Sequence, residues 1–171
     1  MKRVLMWTGI GCGGLILLLV LVGIFAGSST QIDKATPTPV PGIGSAVIAA
    51  NWEVSVSKSP SRVSSLSNRF SSTSTDGQFV LVPIHIRNVG KDSSTFSDSQ
   101  LKIKDSQGRE YDAAPYSVQS LVDGGLFLEQ INPGLSHETT VVFELPKDAT
   151  GLVLLVQGRM LSKTSMIKLE P

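Results

Sequence analysis

The chain has one cysteine, Cys12, in 171 residues, so no intrachain disulfide can form. A domain of this size outside the cell must then be held by its core alone. Histidine is nearly as scarce. His85 and His137 have no cysteine near them and no acidic pattern beside them, which excludes the common zinc spacings. Neither sign of charge dominates: 15 Lys and Arg face 14 Asp and Glu. Three of those basic residues (Lys2, Arg3, Lys34) and one acid (Asp33) precede Ser45. The remainder carries 12 basic and 13 acidic residues, a net of −1, and no basic footprint of a nucleic-acid binder. No glycine-rich phosphate loop is present either.

The longest absence is of charge itself. Between Arg3 and Asp33 no residue is charged, and Val4 to Ala26 is mostly apolar. About 20 apolar residues span the hydrocarbon layer as a helix, and Lys2 and Arg3 stay cytoplasmic by the positive-inside rule. Residues 1–27 therefore read as an N-terminal transmembrane anchor that places the C-terminal domain outside, in a single-pass membrane protein. The rival is a signal peptide cleaved near Ala26-Gly27-Ser28, giving a secreted product. The uncharged stretch is long for a signal peptide, so the anchor is preferred. Cys12 precedes the densest apolar run, Leu15 to Ala26, whereas a lipobox cysteine follows it, and Gly9-Ile10-Gly11 lacks the usual leucine, so Cys12 reads as a small apolar residue of the span.

Residues 28–45 read as a Thr/Pro-rich linker. Proline at 37, 39 and 41 blocks regular pairing and favours an extended polyproline form. Residues 46–171 read as the folded domain, and about 125 residues can bury roughly two-thirds of their unfolded surface. Its centre is Gly77–Asn88, where Val80, Val82, Ile84 and Ile86 recur at every second position. That period places four β-branched side chains on one face of a strand, with Phe79, Leu81 and His85 on the other. Pro83 lies within this strand and cannot donate to a ladder, which predicts an edge or a bulge there. Asn88-Val89-Gly90 supplies turn chemistry.

Trp52, Val54 and Val56 alternate with polar residues and predict a half-buried strand with Trp52 in the core. Leu101 and Ile103 alternate with Lys102 and Lys104. Asp105-Ser106-Gln107-Gly108 then predicts a turn with glycine at positive φ, and Arg109-Glu110-Tyr111 the returning arm of a hairpin. The oxygen-ligand spacing of a calcium loop is missing there. Tyr116–Leu121 fits one helical turn or irregular chain, Leu126–Leu128 a short strand. Thr139–Leu145, Leu152–Val156 and Ser165–Leu169 are further strands, with Met160 and Met166 read as core filling. Lys58–Gln78 is rich in serine, contains Arg62, Arg69 and Phe70, and holds no period, so it reads as a long mobile loop. Seven or eight short strands with hardly a helix make an all-β, immunoglobulin-like antiparallel β-sandwich, here preceded by one transmembrane helix.

The order of these motifs is familiar: Trp52, then Gly77-Gln78-Phe79-Val80 to Asn88, Asp105-Ser106-Gln107-Gly108-Arg109-Glu110-Tyr111, Asn132-Pro133-Gly134 and Val142-Phe143-Glu144-Leu145-Pro146. From about Ala46 to Leu169 the chain resembles a bacterial family of telokin-like, immunoglobulin-fold extracellular domains of unknown function. Its members are typically lipoproteins or membrane-anchored, and a secreted mycobacterial antigen shares the fold. The resemblance implies a fold and a location and carries over no catalytic residue.

The expectation is a cell-surface binding or interaction module: no enzyme, and no catalytic, cofactor-binding or metal residues. Its partners are the lipid bilayer, through the N-terminal helix, and an extracellular protein or envelope ligand, but no nucleic acid. The alternatives are an extracellular protease inhibitor acting through the serine-rich loop 58–78 and, least supported, a hydrolase with an unrecognised site. A hydrolase needs a nucleophile beside a base and an orienting group, and neither histidine stands in such a motif.

Overall fold

The computed structural model describes residues 39–122, 128–158 and 163–170. The anchor and most of the linker lie outside them, as do Cys12 and Met160. Among the described residues no helix is long and apolar enough to cross a membrane.

Among the described residues eleven strands form the domain: β1 (Ala46–Ala49), β2 (Trp52–Val56), β3 (Ser61–Ser67), β4 (Ser72–Asn88), β5 (Ser94–Ser97), β6 (Leu101–Lys104), β7 (Glu110–Asp112), β8 (Leu128–Ile131), β9 (Ser136–Leu145), β10 (Val153–Val156) and β11 (Ser165–Lys168). One α-helical turn, α1 (Tyr116–Gln119), and a 3-10 turn at Asp98–Gln100 interrupt them among the described residues. The first sheet is built on β4. Along one side lies β9, paired from Gln78↔Leu145 to Arg87↔Ser136. Along the other, β2 and β3 lie end to end, and β1 extends the sheet beyond β2. The second sheet runs β11-β10-β6-β7, and β5 pairs with β8 apart from both. All these pairings are antiparallel.

The two sheets close on one core. Val80, Val82, Ile84 and Ile86 of β4 meet Trp52, Val54 and Val56 of β2, Val141 and Phe143 of β9, and Leu101, Ile103, Leu154, Val156 and Ile167 of the second sheet. Phe96 from β5 packs edge-on against Trp52, ring centroids 5.2 Å apart, an arrangement favoured by the aromatic quadrupole. The alternation read from the sequence thus describes the inward face of β4, and Trp52 is a core residue.

The opposite face of β4 is also covered. Phe79 and Val142 pack with Leu66, Ala114 and Leu121 in a second apolar cluster, with Leu81, Val118 and Val122 at its margin. Gln119, buried at the end of α1, locks this layer on. Its Nε2 donates to the carbonyls of Ala114 (3.1 Å) and Val142 (2.9 Å), and its Oε1 accepts from Val142 N (3.0 Å). One side-chain amide therefore acts as a strand partner for the outer edge of β9, where an exposed row of backbone groups would otherwise invite pairing.

Pro83 sits between neighbours on both sides, not at an edge. Its carbonyl accepts from Ser57 N (3.0 Å), so its missing N–H falls at the break between β2 and β3, an interruption of the kind that tolerates proline. Gly108 has φ +82°, as the turn requires. Asn88 is wholly buried. It donates to the carbonyls of Asp92 and Ile131 (both 2.8 Å) and accepts from Gly90 N (2.9 Å). Only glycine fits at 90, because a Cβ there would lie 2.9 Å from Asn51 Cβ and 3.0 Å from Asn88 Oδ1.

Two expectations on this body need correction. Met166 does not fill the core: it is exposed on the outer face of β11, since Ile167 takes the inward position. The ordered domain also reaches back into the segment read as linker. Pro41 O accepts from Lys168 N (2.8 Å), Gly44 N donates to Val56 O (2.9 Å), and Ile43 packs on the core. Backbone pairing there outweighs the local preference of proline for extended, unpaired chain.

Ile84→Ala should cost about 2–5 kcal/mol, the range for truncating a buried isoleucine, whereas His85→Ala on the opposite face should cost about 1 kcal/mol or less. Denaturant melts decide it, and a larger loss at His85 would reverse the faces. Gln119→Leu should destabilise by about 1–3 kcal/mol, because Val142 N–H is left buried without a partner. An unchanged melt would show that the amide clamp contributes nothing.

Candidate functional site

The segment 58–78, expected as a mobile loop, is an ordered β-hairpin. Ser61–Ser67 pairs with β4 from Ser61↔Leu81 to Ser67↔Ser72, with one register shift between Val63 and Ser65. Residues 72–77 run past the last ladder partner on β9, Leu145, so six residues of β4, about 20 Å at 3.3 Å each, form an arm without backbone pairing to β9, although the Thr75 hydroxyl still donates to Glu144 of that strand. The expectation failed because Leu66 is the one buried side chain of β3 and residues 72–77 bury none. The arm's alternating positions are Ser and Thr, so the strand leaves no apolar period to read.

The arm is held at both ends. At its base, Arg62 donates to Ala149 O (3.1 Å) and pairs with Glu170, whose second oxygen accepts from Gly151 N (2.7 Å). Arg62 is thus a structural clasp to the C-terminal strand. Near the tip, Leu66 is buried in the second cluster, and Asn68 Nδ2 reaches Ser120 O (3.3 Å). The turn is closed by Asn68. Its Oδ1 accepts from the N–H groups of Phe70 and Ser71 (both 2.9 Å), and its own N–H donates to Ser71 O (2.9 Å). This is the Asx geometry that favours asparagine in turns. Arg69 and Phe70 are left at the apex, both exposed.

A charged cluster closes the β6–β7 turn. The Asp105 carboxylate has no exposed surface. It accepts from Arg109 Nε (2.7 Å), Arg109 N (3.0 Å), Tyr111 Oη (3.0 Å) and Gln107 N (2.9 Å). Arg109 reaches Asp148 Oδ2 (3.2 Å) and lies over the Tyr111 ring at 5.9 Å. Burial alone would raise the Asp105 pKa. The hydrogen bonds from the Arg109 side chain and backbone, Tyr111 and Gln107 together outweigh it, and the carboxyl is held below its ordinary range. The hydrogen bond from Arg109 likewise lowers Asp148. Burial, then the bond to Asp105, raises Tyr111. Both oxygens of Asp105 are committed to donors within the turn, so this carboxylate is a structural lock, while Arg109 Nη2 is buried without a hydrogen-bond partner.

The histidines stand apart. His85 projects outward from the first sheet, opposite Ser55 on β2 and Glu138 on β9. Ser55, His85 and Glu138 therefore form one row across three strands, the residue types of a hydrolytic triad. The sequence reading missed this row because only cross-strand register assembles it. The three share no hydrogen bond among the described residues. His137 lies across from core-facing Ile86 and is 3.8 Å from Glu129. Among the described residues no group of three or more His, Cys, Asp or Glu is arranged to hold a metal.

A family sequence profile described as "Domain of unknown function (DUF4352)" matches residues 41–166. The chain belongs to this family. The match begins at Pro41, the first of the described residues whose backbone bonds to a strand of the sandwich. No curated protein matches the chain. Among solved structures, the yjhA protein of Bacillus subtilis superposes with a TM-score of 0.58 at 12% identity, over 77% of this chain and 100% of that one. MPT63, a secreted protein of Mycobacterium tuberculosis, gives 0.56 at 14%, over 80% and 100%. A candidate lipoprotein of Bacillus subtilis, ycdA, gives 0.51 at 18%, over 72% of this DUF4352 chain and 38% of the other. At these identities the likeness is one of fold: an all-β sandwich.

The Asp105 lock predicts an acid-sensitive fold. A carboxyl whose folded pKa lies below its unfolded value of 3.8 adds stability above that value and loses it as pH falls through the folded pKa. The melting temperature of the native chain should hold near neutral pH and drop below about pH 4. Asp105→Asn should melt lower at pH 7 and show a shallower acid slope. Parallel slopes would remove Asp105 from the linkage.

Proposed function

We propose that this DUF4352 chain is a cell-surface, membrane-tethered binding module of immunoglobulin-like, telokin-like architecture, without catalytic activity. The observation that carries this reading is the serine-rich arm: a stiff hairpin with an exposed apex, held out from the body of the sandwich. Rigid scaffolds that present exposed turns are the usual carriers of recognition. The uncharged stretch 4–32 supplies the membrane anchor, and the linker sets the domain off the outer surface. The secreted and lipoprotein-like fold neighbours agree with that location.

The hydrolase alternative has one feature in its favour, the Ser55–His85–Glu138 row. Its three members share no hydrogen bond among the described residues, and a nucleophile is activated by such contacts. The protease-inhibitor alternative gains from the order of the arm. Against it, the four-residue turn 68–71 folds the chain back on itself, and a protease cleft takes an extended segment. Binding is the better reading.

Protease added to intact cells should degrade the domain while a cytoplasmic protein survives, and the chain should sediment with membranes. Full protection overturns the outward orientation. A soluble product starting near Ser29 replaces the anchor with a cleaved signal.

A further inference from the structure

Among the described residues phenylalanine is otherwise an interior residue. Phe79, Phe96 and Phe143 are 0–1% exposed, whereas Phe70 is 94% exposed. That exposure does not come from a loose chain, because Asn68 fixes the backbone on either side of the ring and Leu66 and the Asn68–Ser120 bond fix the arm. Next to it, the Arg69 guanidinium has no hydrogen bond or ion pair among the described residues. A preordered aromatic beside a free guanidinium, flanked by Ser67, Ser71 and Ser72, has the make-up of an interface hot spot: an anchor, a directional cation and a small polar rim.

We propose that Arg69 and Phe70 are the contact tip for a protein partner presenting an apolar pocket rimmed by carboxylates, a proposal that rests on the binding reading above. The ring calls for a pocket because it is a compact apolar body with its backbone already placed. The turn is ordered before binding, so little conformational entropy is lost there on association. Arg69 calls for a carboxylate, to which its planar fork can donate two parallel hydrogen bonds. A lipid surface fits less well. One ring and one cation are too little for stable membrane attachment, which takes several apolar side chains or a polybasic patch.

The test places a photoreactive phenylalanine analogue, p-benzoylphenylalanine, at position 70 of the full-length chain in its native cells, with the same substitution at Arg87 and Met166 as exposed controls. Irradiation should give a discrete protein adduct from position 70 and from neither control. Adding Arg69→Glu should reduce it about tenfold or more, while Arg69→Lys should keep part of it. Both variants should melt like the parent, since the exposed side chain makes no hydrogen bond or ion pair among the described residues. An adduct to lipid, an adduct of twice the chain's own mass, or one indifferent to Arg69→Glu overturns the proposal. Adducts confined to Arg87 or Met166 overturn the tip and leave the binding reading standing. No adduct at any of the three positions counts against both.

Discussion

Strand β4 must be buried on two faces and paired on two sides at once, and the rest of the fold follows from that. Its inward face carries four β-branched side chains, each at most 1% exposed. Those side chains need a facing sheet, which β6, β10 and β11 supply. Its outward face carries Phe79 and Leu81, too much apolar surface to leave in water at about 25 cal/mol per Å². The chain covers them with a single helical turn and Leu121. A sheet strand with only one apolar face would have needed neither α1 nor the Gln119 clamp. The clamp is the polar counterpart of that cover: once residues 113–119 lie over the edge of β9, the backbone of Val142 is cut off from water and must find a partner in protein.

The same strand shows which parts of the fold could be read from the sequence. Val80, Val82, Ile84 and Ile86 announce a period of two, so the strand and its faces were legible. So were the β6–β7 hairpin, whose Gly108 takes the positive φ its turn demands, and the burial of Trp52. The arm was not. Ser and Thr alternate there without any contrast in hydrophobicity, and its strands form because they continue β2 and β4, not because of local preference. Met166 failed for a related reason: one residue of register decides whether a side chain faces core or solvent, and Ile167 is the better core residue. Gln119 and the Asp105 lock could not be read at all. A buried polar side chain is justified only by its partners: Gln119 finds Val142 23 positions away, and Asp105 finds Gln107, Arg109 and Tyr111 nearby in sequence but only once the turn has folded.

Of the candidate site, the sequence supplied the residues but not the reason to attend to them. Arg62, Arg69 and Phe70 all stood in one serine-rich stretch. The structure separates them by role. Arg62 turns inward at the base and clasps the C-terminal strand through Glu170. Arg69 and Phe70 turn outward at the apex. Only the register of β3 on β4 distinguishes them, and that register is set at the far end by the apolar face of β4.

The arm's stiffness therefore has its source in the core. A loop of this composition would sample many conformations, and ordering it on a partner would cost about 1–2 kcal/mol for each residue fixed. Here that cost is met during folding, because residues 72–77 continue a strand whose other end lies between two sheets, and Leu66 and Asn68 seat the opposite side of the hairpin on the α1 layer. The layer that hides Phe79 is the same one that steadies the tip. Loosening Gln119 should then soften the arm without touching it, since the amide that fixes α1 to Val142 also fixes the surface on which Leu66 and Asn68 rest. Presentation at the apex and burial at the centre are in this way coupled through one thin layer of side chains.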